Sequence, residues 1–516
     1  MDIDFHFDAT FVAAVCAGYS TAEAKIIAHA GEYIDDSDES RLLDRSEMAG
    51  LQPLATALAT LEIASHAVHS NDKTVARDRQ MWTSFHFLPG NLDLHVPYEG
   101  KQSESAVFAD FRYNDLARDQ FRSMCLPDSP LVVAMINDTR ARHQSDLHMI
   151  GIRMHALIDT FAHMLYCGSA AWHVNDVGFV TEYQPANSND WIRFTVPVAG
   201  PVAAYYDSLT YTGHSRMGHI PDYPWIKYRY HPQWSRQPIV KDNPAMYMRA
   251  FEEMTHAMSC IRRNQPYAPN SYKLTGRLRT VIDQLIRKPH DRYELFQDWT
   301  ADRRQNWKDA LETLRSCAFE PQAASLANLP TSANYPVYSE DAWINAHRAS
   351  GNKRSTDYYR FHEAAHAQVA FVTRTVSEAG LSVIGATPYP TDSELRFKIE
   401  LFNGDVSQGF LGWNNDKWAC LTDANNALTL EWYPYNGTNY IRNANDNGWY
   451  MSVGTTGVNE GYVGFYAWSN AGYAGWSSQG RQLTSAINQQ QMSMLSKENG
   501  YIYCWKPYKT LEVAFV

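Results

Sequence analysis

The chain has 516 residues, more than one hydrophobic core usually supports, so two or three domains are expected. A hydrophobic content of 45% with 20% charged residues is typical of folded globular proteins and excludes a disordered chain. The net charge of −11 argues against broad electrostatic binding to nucleic-acid phosphates, and no stable nucleic-acid partner is expected. A metal-dependent nuclease stays open, since metal ions supply positive charge locally.

The amino-terminal segment MDIDFHFDATFVAAVCAGYS does not have the features of a secretory signal. It contains three aspartates and lacks a basic region, its first lysine being Lys25. No run of about 18 apolar residues predicts a transmembrane helix. The seven cysteines are odd in number and lack CxxC spacing, which is typical of reduced thiols. The protein is therefore expected to be made in the cytoplasm, and any export would use a signal-independent route.

Apolar periodicity predicts a helical region over the first three quarters of the chain. The region 168–245 is rich in aromatic residues, proline and glycine without clear periodicity, which predicts a long functional loop. The predicted helices cover 9–19, 21–35, 51–69, 110–130 and 146–166, then a segment that begins at Asp242, two segments within 271–316, and 355–380.

Three polar residues recur at four-residue intervals in the segment DLHMIGIRMHALIDTFAHML. His155, Asp159 and His163 would lie within an arc of about 80° on one helix face, because four residues advance a helix by about 400°. The apolar residues between them are numerous enough to bury the helix. Burying two imidazoles and a carboxylate costs desolvation unless something binds them, and a metal ion meets that need. A core helix with hydrogen-bonded histidines is the alternative, and the ladder favours the metal.

Other candidate ligands lie on both sides of this ladder. His6 stands in DFHFDAT with Asp4 and Asp8 at alternate positions, and all three side chains would point the same way if the segment is extended. Asp36 belongs to an acidic cluster directly after an apolar helix, which could hold a carboxylate over a metal ion. His86 lies between two phenylalanines before a Pro-Gly turn. The loop region adds His214, His219 and Asp222 in TGHSRMGHIPD.

In this order the segments resemble zinc-dependent phospholipase C of the alpha-toxin type and the related fungal zinc nucleases. The resemblance covers residues 1 to about 380, and its most specific parts are GIRMHALIDTFAH and GHIPD. It implies a mostly helical fold in which two or three zinc ions lie in a cleft between helices. It also implies hydrolysis of a phosphoester, with a phospholipid as the first substrate class.

The resemblance also implies roles for particular residues. Metal ions would lower the pKa of a bridging water, and Asp36 and Asp159 would be the catalytic carboxylates that orient this water or take its proton. In that family the amino terminus freed by signal cleavage is a further ligand, which a chain without a signal is not expected to supply. Carried across by order, the metal ligands are His6, Asp36 (or Asp35), His86, His155, Asp159, His163, His219 and Asp222.

A competing motif, HEAAH, occurs in the predicted helix 355–380. His362 and His366 would lie one turn apart with Glu363 available as a general base, as in zinc metalloproteases. Because five residues with two free positions recur by chance, and no extended protease signature follows, a packing helix is the favoured interpretation. A metalloprotease is kept as an alternative.

From about residue 396 onward the composition changes to short aromatic runs separated by Gly and Asn, which predicts an all-β domain. Three loosely similar units, near 409–433, 438–468 and 482–514, favour a β-trefoil, with a β-sandwich as the alternative. Seven of the fifteen tryptophans lie here, many beside Gly, Asn or Asp. Such rings either fill the interior or grip sugars, and the candidate binding residues are Trp413, Trp449 and Trp468.

The sequence therefore predicts a mostly α-helical metal-binding domain over 1–385 and an all-β binding or targeting domain over 396–516. The expected function is zinc-dependent phosphoester hydrolysis of the phospholipase C type, in a toxin or effector whose β-domain docks at a surface glycan or a membrane. The alternatives are a zinc nuclease using the same site, the metalloprotease, and a non-catalytic protein that uses zinc structurally or binds carbohydrate.

Overall fold

The computed structural model separates into two compact units, Met1–Val68 with Asp78–Ile384 and His69–Arg77 with Gly385–Val516. The first is mostly helical and the second is built of antiparallel strands, so the predicted fold class is confirmed. The residues described are 1–57, 72–97, 115–169, 172–175, 177, 181–184, 189–194, 213–218, 220–232, 234–235, 237–288, 300–381, 396–435, 438–445, 449–455, 457–467, 475–479 and 481–516.

Thirteen α-helices are found between residues 10 and 378 of the described chain, and the first six residues of the third helix, Asp72–Phe85, belong to the second unit. A π-helical turn, Asp4–Ala9, precedes the first of them. The α-helices are α1 (Thr10–Cys16), α2 (Thr21–Asp36), α3 (Asp72–Phe85), α4 (Asp115–Arg122), α5 (Pro130–Arg142), α6 (Leu147–Ala162), α7 (Trp172–Asn175), α8 (Asn243–Arg262), α9 (Gly276–Arg287), α10 (Thr300–Asp309), α11 (Leu311–Arg315), α12 (Ala342–Ala349) and α13 (Asp357–Glu378).

Helix α6 carries the predicted ladder and runs through the core of this unit. Every residue from His148 to Ala162 is buried, and α2, α8 and α13 pack around the helix. Its start is fixed by Asp146, whose carboxylate accepts hydrogen bonds from the amides of His148 and Met149. Helix α2 begins with a reciprocal capping box between Ser20 and Glu23. Two well-capped helices therefore form the frame of the unit.

Helices α2 and α6 approach so closely that only glycine fits at their crossing. A Cβ atom on Gly151 would lie 2.3 Å from the carbonyl oxygen of Ile27 and 2.7 Å from the Cβ of Ala30. On the facing helix, a Cβ on Gly31 would lie 3.6 Å from the Gly151 carbonyl oxygen. The absence of side chains allows backbone-to-backbone contact at this point.

The structure corrects the extended conformation expected around His6. The segment DFHFDA is helical, so Asp4 and Asp8 still share a side, one helical turn apart, while His6 points elsewhere. Arg303 donates to Asp4 (2.8 Å) and Arg304 donates to Asp8 (3.0 Å), which ties the turn to α10.

Two predicted helices also differ from the structure. Residues 51–57 of the predicted helix 51–69 are not helical, and residues 58–69 lie outside the described residues. The predicted helix 110–130 is replaced by α4, which ends at Arg122, and by α5, which begins at Pro130. A turn that contains the buried Met124 and Cys125 separates them.

The supposed loop 168–245 contains a four-stranded antiparallel sheet. Each strand has only three or four residues, which is too short for alternation to be recognised against the aromatic background. In the sequence KYRY, for example, the two tyrosines are buried and the two basic residues half-buried. The strands are β1 (Thr181–Gln184), β2 (Ile192–Phe194), β3 (Lys227–Tyr230) and β4 (Ile239–Asp242), in the order β2-β1-β3-β4.

The second unit has its own hydrophobic core, which includes Leu401, Ile441 and Val463. Its larger sheets have the orders β12-β11-β10-β9-β5 and β17-β6-β7-β8, and the trefoil and the sandwich both stay predictions. Its strands are β5 (Arg396–Phe397), β6 (Ile399–Asn403), β7 (Val406–Trp413), β8 (Ala419–Thr422), β9 (Leu430–Tyr435), β10 (Thr438–Asn443), β11 (Trp449–Val453), β12 (Val463–Ala467), β13 (Trp476–Gln479), β14 (Gln482–Ser485), β15 (Ser493–Met494), β16 (Lys509–Thr510) and β17 (Glu512–Phe515).

The glycine crossing gives a first prediction. Replacing Gly151→Ala should lower the free energy of unfolding by about 1–3 kcal/mol, because the added methyl group must push α2 away from α6. Chemical denaturation measures the loss. Gly351→Ala is the matched control, since a Cβ there meets nothing within 4 Å. Equal stability of the two variants would show that the helices can separate without cost.

Candidate metal centre

Side chains from five segments of the first unit meet at one end of helix α6. Their nitrogen and carboxylate oxygen atoms form three adjoining groups, each with its atoms within 4.8 Å of one another. His155 belongs to two of the groups, so these two groups have one candidate ligand in common. The groups are His6, His155 and Asp159; Asp35, His86 and His155; and His163, His214 and Asp222.

Asp159 is the centre of this arrangement. One of its oxygens, Oδ2, lies 3.1 Å from Nε2 of His155 and 3.4 Å from Nδ1 of His86. The other, Oδ1, lies 3.2 Å from Nε2 of His6. His163, the third member of the ladder, has its Nδ1 3.5 Å from Oδ2. The four-residue spacing therefore places all three ladder residues around one carboxylate, as the sequence predicted.

A second carboxylate, Asp222, lies at the end of the ladder. His163 Nε2 is 3.4 Å from its Oδ1, and His214 Nε2 is 3.6 Å from its Oδ2. His163 therefore faces Asp159 on one side and Asp222 on the other, and it joins the third group to the first two.

Four of the five histidines have a ring nitrogen bound to a main-chain carbonyl. A carbonyl oxygen only accepts, so that nitrogen carries the proton and the other presents its lone pair. In His155, His86 and His214 the lone pair faces the carboxylates or a neighbouring histidine; in His163 it faces Asp222. The contacts are His155 Nδ1 to Gly31 O (2.8 Å), His86 Nε2 to Thr56 O (2.9 Å), His163 Nδ1 to His86 O (2.8 Å) and His214 Nδ1 to Gly218 O (2.9 Å).

His6 differs from these four histidines. It is fully buried, its ring stacks on His155 with centroids 3.9 Å apart, and neither ring nitrogen makes a hydrogen bond of normal geometry. Burial, together with the nearby His155 and the amino group of Met1, lowers the pKa of His6 to about 4. His6 is therefore neutral at pH 7, with a lone pair that no protein donor satisfies.

The pKa shifts of the other groups do not all act in one direction. Burial lowers the pKa of His86, but its hydrogen bond to Asp159 and the charge of Asp35 outweigh burial and raise this pKa, which favours the charged imidazole. Burial lowers the pKa of His214 to about 4 despite the nearby Asp222. Burial alone would raise the pKa of Asp159, but the charges of His163, the amino group and His155 outweigh it and hold this pKa well below its usual range. Neutral imidazoles and an ionised carboxylate are the protonation states that bind metal.

The amino group of Met1 also lies in the cluster, which was not expected from the sequence. It donates to Oδ1 of Asp159 (3.0 Å) and lies 3.4 Å from Oδ1 of Asp222. Burial opposes the charged form, but attraction by Asp159, Asp222 and Asp35 raises the pKa of the amino group to about 12. In the structure this nitrogen bridges the two buried carboxylates.

Asp35 is the most exposed member of the three groups. Its side chain is 34% exposed, whereas those of Asp159 and His155 are at most 1% exposed. Its oxygens lie 3.5 Å from His86 Nδ1 and 3.6 Å from His6 Nε2. Solvent therefore reaches the cluster beside Asp35.

One of the predicted ligands changes, and another, His219, is not tested. Asp35, given only as the alternative to Asp36, faces the histidines, while Asp36 accepts a hydrogen bond from the Tyr338 hydroxyl. Neighbouring residues on a helix point about 100° apart, so only one of the two can face the cluster. His219 lies outside the described residues, and His214, passed over at that step, faces Asp222 instead. The other predicted ligands, His6, His86, His155, Asp159, His163 and Asp222, are all brought together.

The HEAAH histidines bond to the main chain. Nδ1 of His362 accepts from the amide of Leu54 (3.2 Å), and Nε2 of His366 donates to the carbonyl oxygen of Gln52 (2.7 Å). Glu363 is exposed on α13. Among the described residues neither histidine belongs to a group that could hold a metal. The motif fastens residues 52–54 to α13, and this supports the packing interpretation.

Two of the three predicted binding tryptophans pack against the core of the second unit. Trp413 and Trp449 are half-buried, with ring centroids 6.4 Å apart, and Trp413 also meets Phe465. The ammonium of Lys417 lies 3.8 Å from the centroid of Trp413 and covers part of its face. Trp468 lies outside the described residues. A glycan would therefore reach only part of these two rings.

The chain belongs to a family of unknown function, DUF6765, whose family model matches residues 1–376. All three candidate metal-binding groups lie within this match, and the Gly385–Val516 part of the second unit follows it. No curated protein and no solved structure matches the chain. No helix in the described ranges is long and apolar enough to cross a membrane.

The buried histidine of HEAAH gives a prediction about acid stability. Burial, helped by His366, lowers the pKa of His362 to about 3. In the unfolded chain this group takes a proton near pH 6.5, whereas in the folded chain it does not, so its contribution is full above pH 6.5 and is lost as the pH falls toward 3. The slope should approach about 1.4 kcal/mol per pH unit.

The measurement compares wild type with His362→Asn, whose amide oxygen can accept from Leu54 but does not titrate. The variant should gain stability relative to wild type in urea melts as the pH falls below 6.5. A stability difference that is constant between pH 7 and pH 4 would contradict the assignment of a neutral His362.

Proposed function

We propose that this member of the DUF6765 family is a zinc-dependent hydrolase of phosphoester bonds, with phospholipid as the first substrate class. The observation that carries the proposal is the orientation of the histidines. Four of them have one nitrogen fixed by a main-chain carbonyl, which is the usual outer partner of a metal-ligating histidine. The second nitrogens are directed at other candidate ligands: His155 Nε2 lies 3.3 Å from His86 Nδ1. His163 Nε2 lies 3.4 Å from Asp222 Oδ1.

The donor set fits zinc. Imidazole nitrogen and carboxylate oxygen are the ligands zinc accepts, and the three groups contain five histidines and three aspartates. His6 and Oδ2 of Asp159 are buried without hydrogen-bond partners, a cost that a bound cation would remove. Because the first two groups share His155, two or three ions are expected.

Bound zinc would supply Lewis acidity and a water of lowered pKa at the groups. The two carboxylates Asp159 and Asp35 differ in exposure, and this difference decides the role of each. Asp159, buried and surrounded by histidines, orients the rings. Asp35 lies where solvent enters, so its carboxylate is placed to orient the attacking water or to accept its proton. Asp35 thus takes the role that the sequence gave to Asp36.

The substrate class rests on the resemblance to zinc-dependent phospholipase C and on the second unit. Phosphoester hydrolysis suits adjoining metal ions, because they clamp both the attacking and the leaving oxygen. A separate β-unit with partly exposed tryptophans is suited to docking at a membrane or at a surface glycan. The net charge of −11 disfavours binding of DNA or RNA. A nuclease that uses the same residues is therefore the second candidate function.

Metal content is the first test. Purified full-length protein should contain two or three zinc ions per chain by elemental analysis, and His155→Ala should lose at least one, because His155 belongs to two groups. His256→Ala is the control, since this half-exposed histidine lies near Tyr267 and Ser271. If wild-type protein purified in zinc-containing buffer holds no zinc, the cluster has only a structural role.

Activity separates the neighbouring aspartates. With phosphatidylcholine vesicles, wild type should release phosphocholine, and Asp35→Asn should reduce the rate by about 10²-fold or more, the usual effect of losing a general base. Asp36→Asn should keep most of the rate, because an amide oxygen can still accept from Tyr338. Glu363→Gln should be active as well.

Other outcomes would contradict parts of the proposal. A larger loss from Asp36→Asn than from Asp35→Asn would reverse the assignment of the carboxylate. Cleavage of single-stranded DNA without lipid hydrolysis would keep the metal centre and exclude the phospholipase. A peptidase activity abolished by Glu363→Gln and unaffected by His155→Ala would reject the whole site.

A further inference from the structure

Three segments of the second unit, 418–420, 462–466 and 501–505, lie side by side as a small layer of extended chain. Residues that are bridged to each other, and residues two apart in a segment, point to the same face of such a layer. The antiparallel bridges between the segments are Trp418 to Gly464, Cys420 to Tyr501 and Tyr462 to Tyr503.

The two faces of this layer are both rich in large or apolar side chains. One face belongs to the core and carries Ala419, Val463, Phe465, Ile502 and Cys504, each at most 3% exposed. On the opposite face an antiparallel sheet usually carries polar side chains. Here that face carries aromatic rings, and we call Trp418, Tyr462, Tyr466, Tyr501, Tyr503 and Trp505 the aromatic face.

The rings of the aromatic face contact one another without a break. The centroid of Tyr462 lies 5.6 Å from that of Trp418, 4.5 Å from Tyr503 and 6.1 Å from Tyr501. Trp418 in turn lies 6.0 Å from Tyr466. Tyr503 is buried, whereas the other four rings are half-buried, so a continuous aromatic surface reaches solvent.

Two glycines fix the positions of the two indoles. A Cβ atom on Gly464 would lie 3.0 Å from Cε3 of Trp418, and a Cβ on Gly461 would lie 2.9 Å from Cε3 of Trp505. Each indole therefore lies directly against the main chain, where any other residue would displace it. Trp505 remains 39% exposed, which makes it the most accessible ring of the face.

Hydrogen-bonding groups lie at the border of the aromatic face. The side-chain amide of Asn414 donates to the hydroxyl of Tyr501 (3.4 Å), and the hydroxyl of Tyr503 donates to the side-chain oxygen of Asn499 (3.1 Å). The residues that alternate onto the face are all uncharged. The face thus offers ring surfaces bordered by hydroxyl and amide groups, without a charge.

Charge and area together limit what this face can bind. An uncharged face does not complement a nucleic acid, and a membrane-binding face carries Lys or Arg beside aliphatic residues. An aromatic side chain has about 150–250 Å² of surface, and these rings expose well under half of it, so the face offers roughly 400 Å². A standard protein interface buries about 800 Å² on each partner.

We propose that the aromatic face binds a neutral carbohydrate chain. A sugar ring presents C–H groups on its faces and hydroxyls around its edge, which complement aromatic rings bordered by hydroxyl and amide groups. The face replaces Trp413 and Trp449, which pack against the core, as the carbohydrate-binding surface. The proposal does not depend on the reaction of the first unit.

Titration with neutral sugars tests the face. Full-length protein is titrated with cellohexaose, chitohexaose, maltohexaose and mannohexaose, and binding is followed by calorimetry and tryptophan fluorescence. Wild type should bind at least one of these hexasaccharides saturably. Trp505→Ala should weaken that binding by about tenfold or more, the usual effect of removing a central aromatic contact. Trp505→Phe, which keeps a ring, should weaken it less.

Val406→Ala is the control, because Val406 is 65% exposed on β7 and lies outside the aromatic face. This variant should bind as wild type does. If Trp505→Ala fails to fold, Tyr501→Ala removes a half-buried ring of the same face and should weaken binding as well. His155→Ala should bind the sugar normally, so failure of the metal centre and failure of the aromatic face are distinguishable.

Three results would overturn the proposal. The first is wild-type protein that binds none of the four hexasaccharides. The second is binding that is unchanged in both Trp505→Ala and Tyr501→Ala. The third is a wild-type protein that binds phosphatidylcholine vesicles or a decaproline peptide through Trp505 and binds no sugar, which would assign the face to a membrane or to a protein partner.

Discussion

The crossing of α2 and α6 at Gly31 and Gly151 is the constraint on which the metal centre depends. Because the two backbones touch, the carbonyl oxygen of Gly31 reaches Nδ1 of His155 and fixes which ring nitrogen is free. The same approach sets the position of Asp35, one helical turn after Gly31, so that its Oδ1 lies 3.8 Å from Nε2 of His155. One contact between helices thus aligns ligands that are 120 residues apart in sequence.

Electrostatics explains why this cluster is buried in a stable protein. Asp159 lies in the core with a net attraction toward cations, and the structure surrounds it with groups that can supply positive charge or be replaced by a metal ion. A buried carboxylate without such partners would cost several kcal/mol. Metal binding of the proposed kind would be coupled to folding of the first unit, since the candidate ligands come from segments far apart in the sequence.

Local patterns in the sequence were enough to predict the ladder, the start of α2 and the change to a β-unit. The shared face of His155, Asp159 and His163 follows from helical geometry alone, and the predicted helix 21–35 begins at the residue where the structure starts α2. The choice between Asp35 and Asp36 depends on how α2 is rotated about its axis relative to α6. Apolar periodicity in the sequence predicts this rotation only to within one residue. His214 was a candidate but was not chosen as a ligand, because its loop has no repeat from which the direction of a side chain could be predicted. The pairing of β3 with β4 could not be predicted either, because it depends on contacts between strands of only four residues.

The pairing of β6 with β17 has a mechanical consequence. Ile399 lies opposite Phe515, and Lys398 exchanges hydrogen bonds with Val516. The start of β6 and the end of β17 therefore lie side by side in an antiparallel pair. A force that pulls residue 398 away from Val516 loads these hydrogen bonds one after another instead of all at once. The ladder would then open like a zipper at low force, and tension on these two ends would peel the sheet well before it sheared.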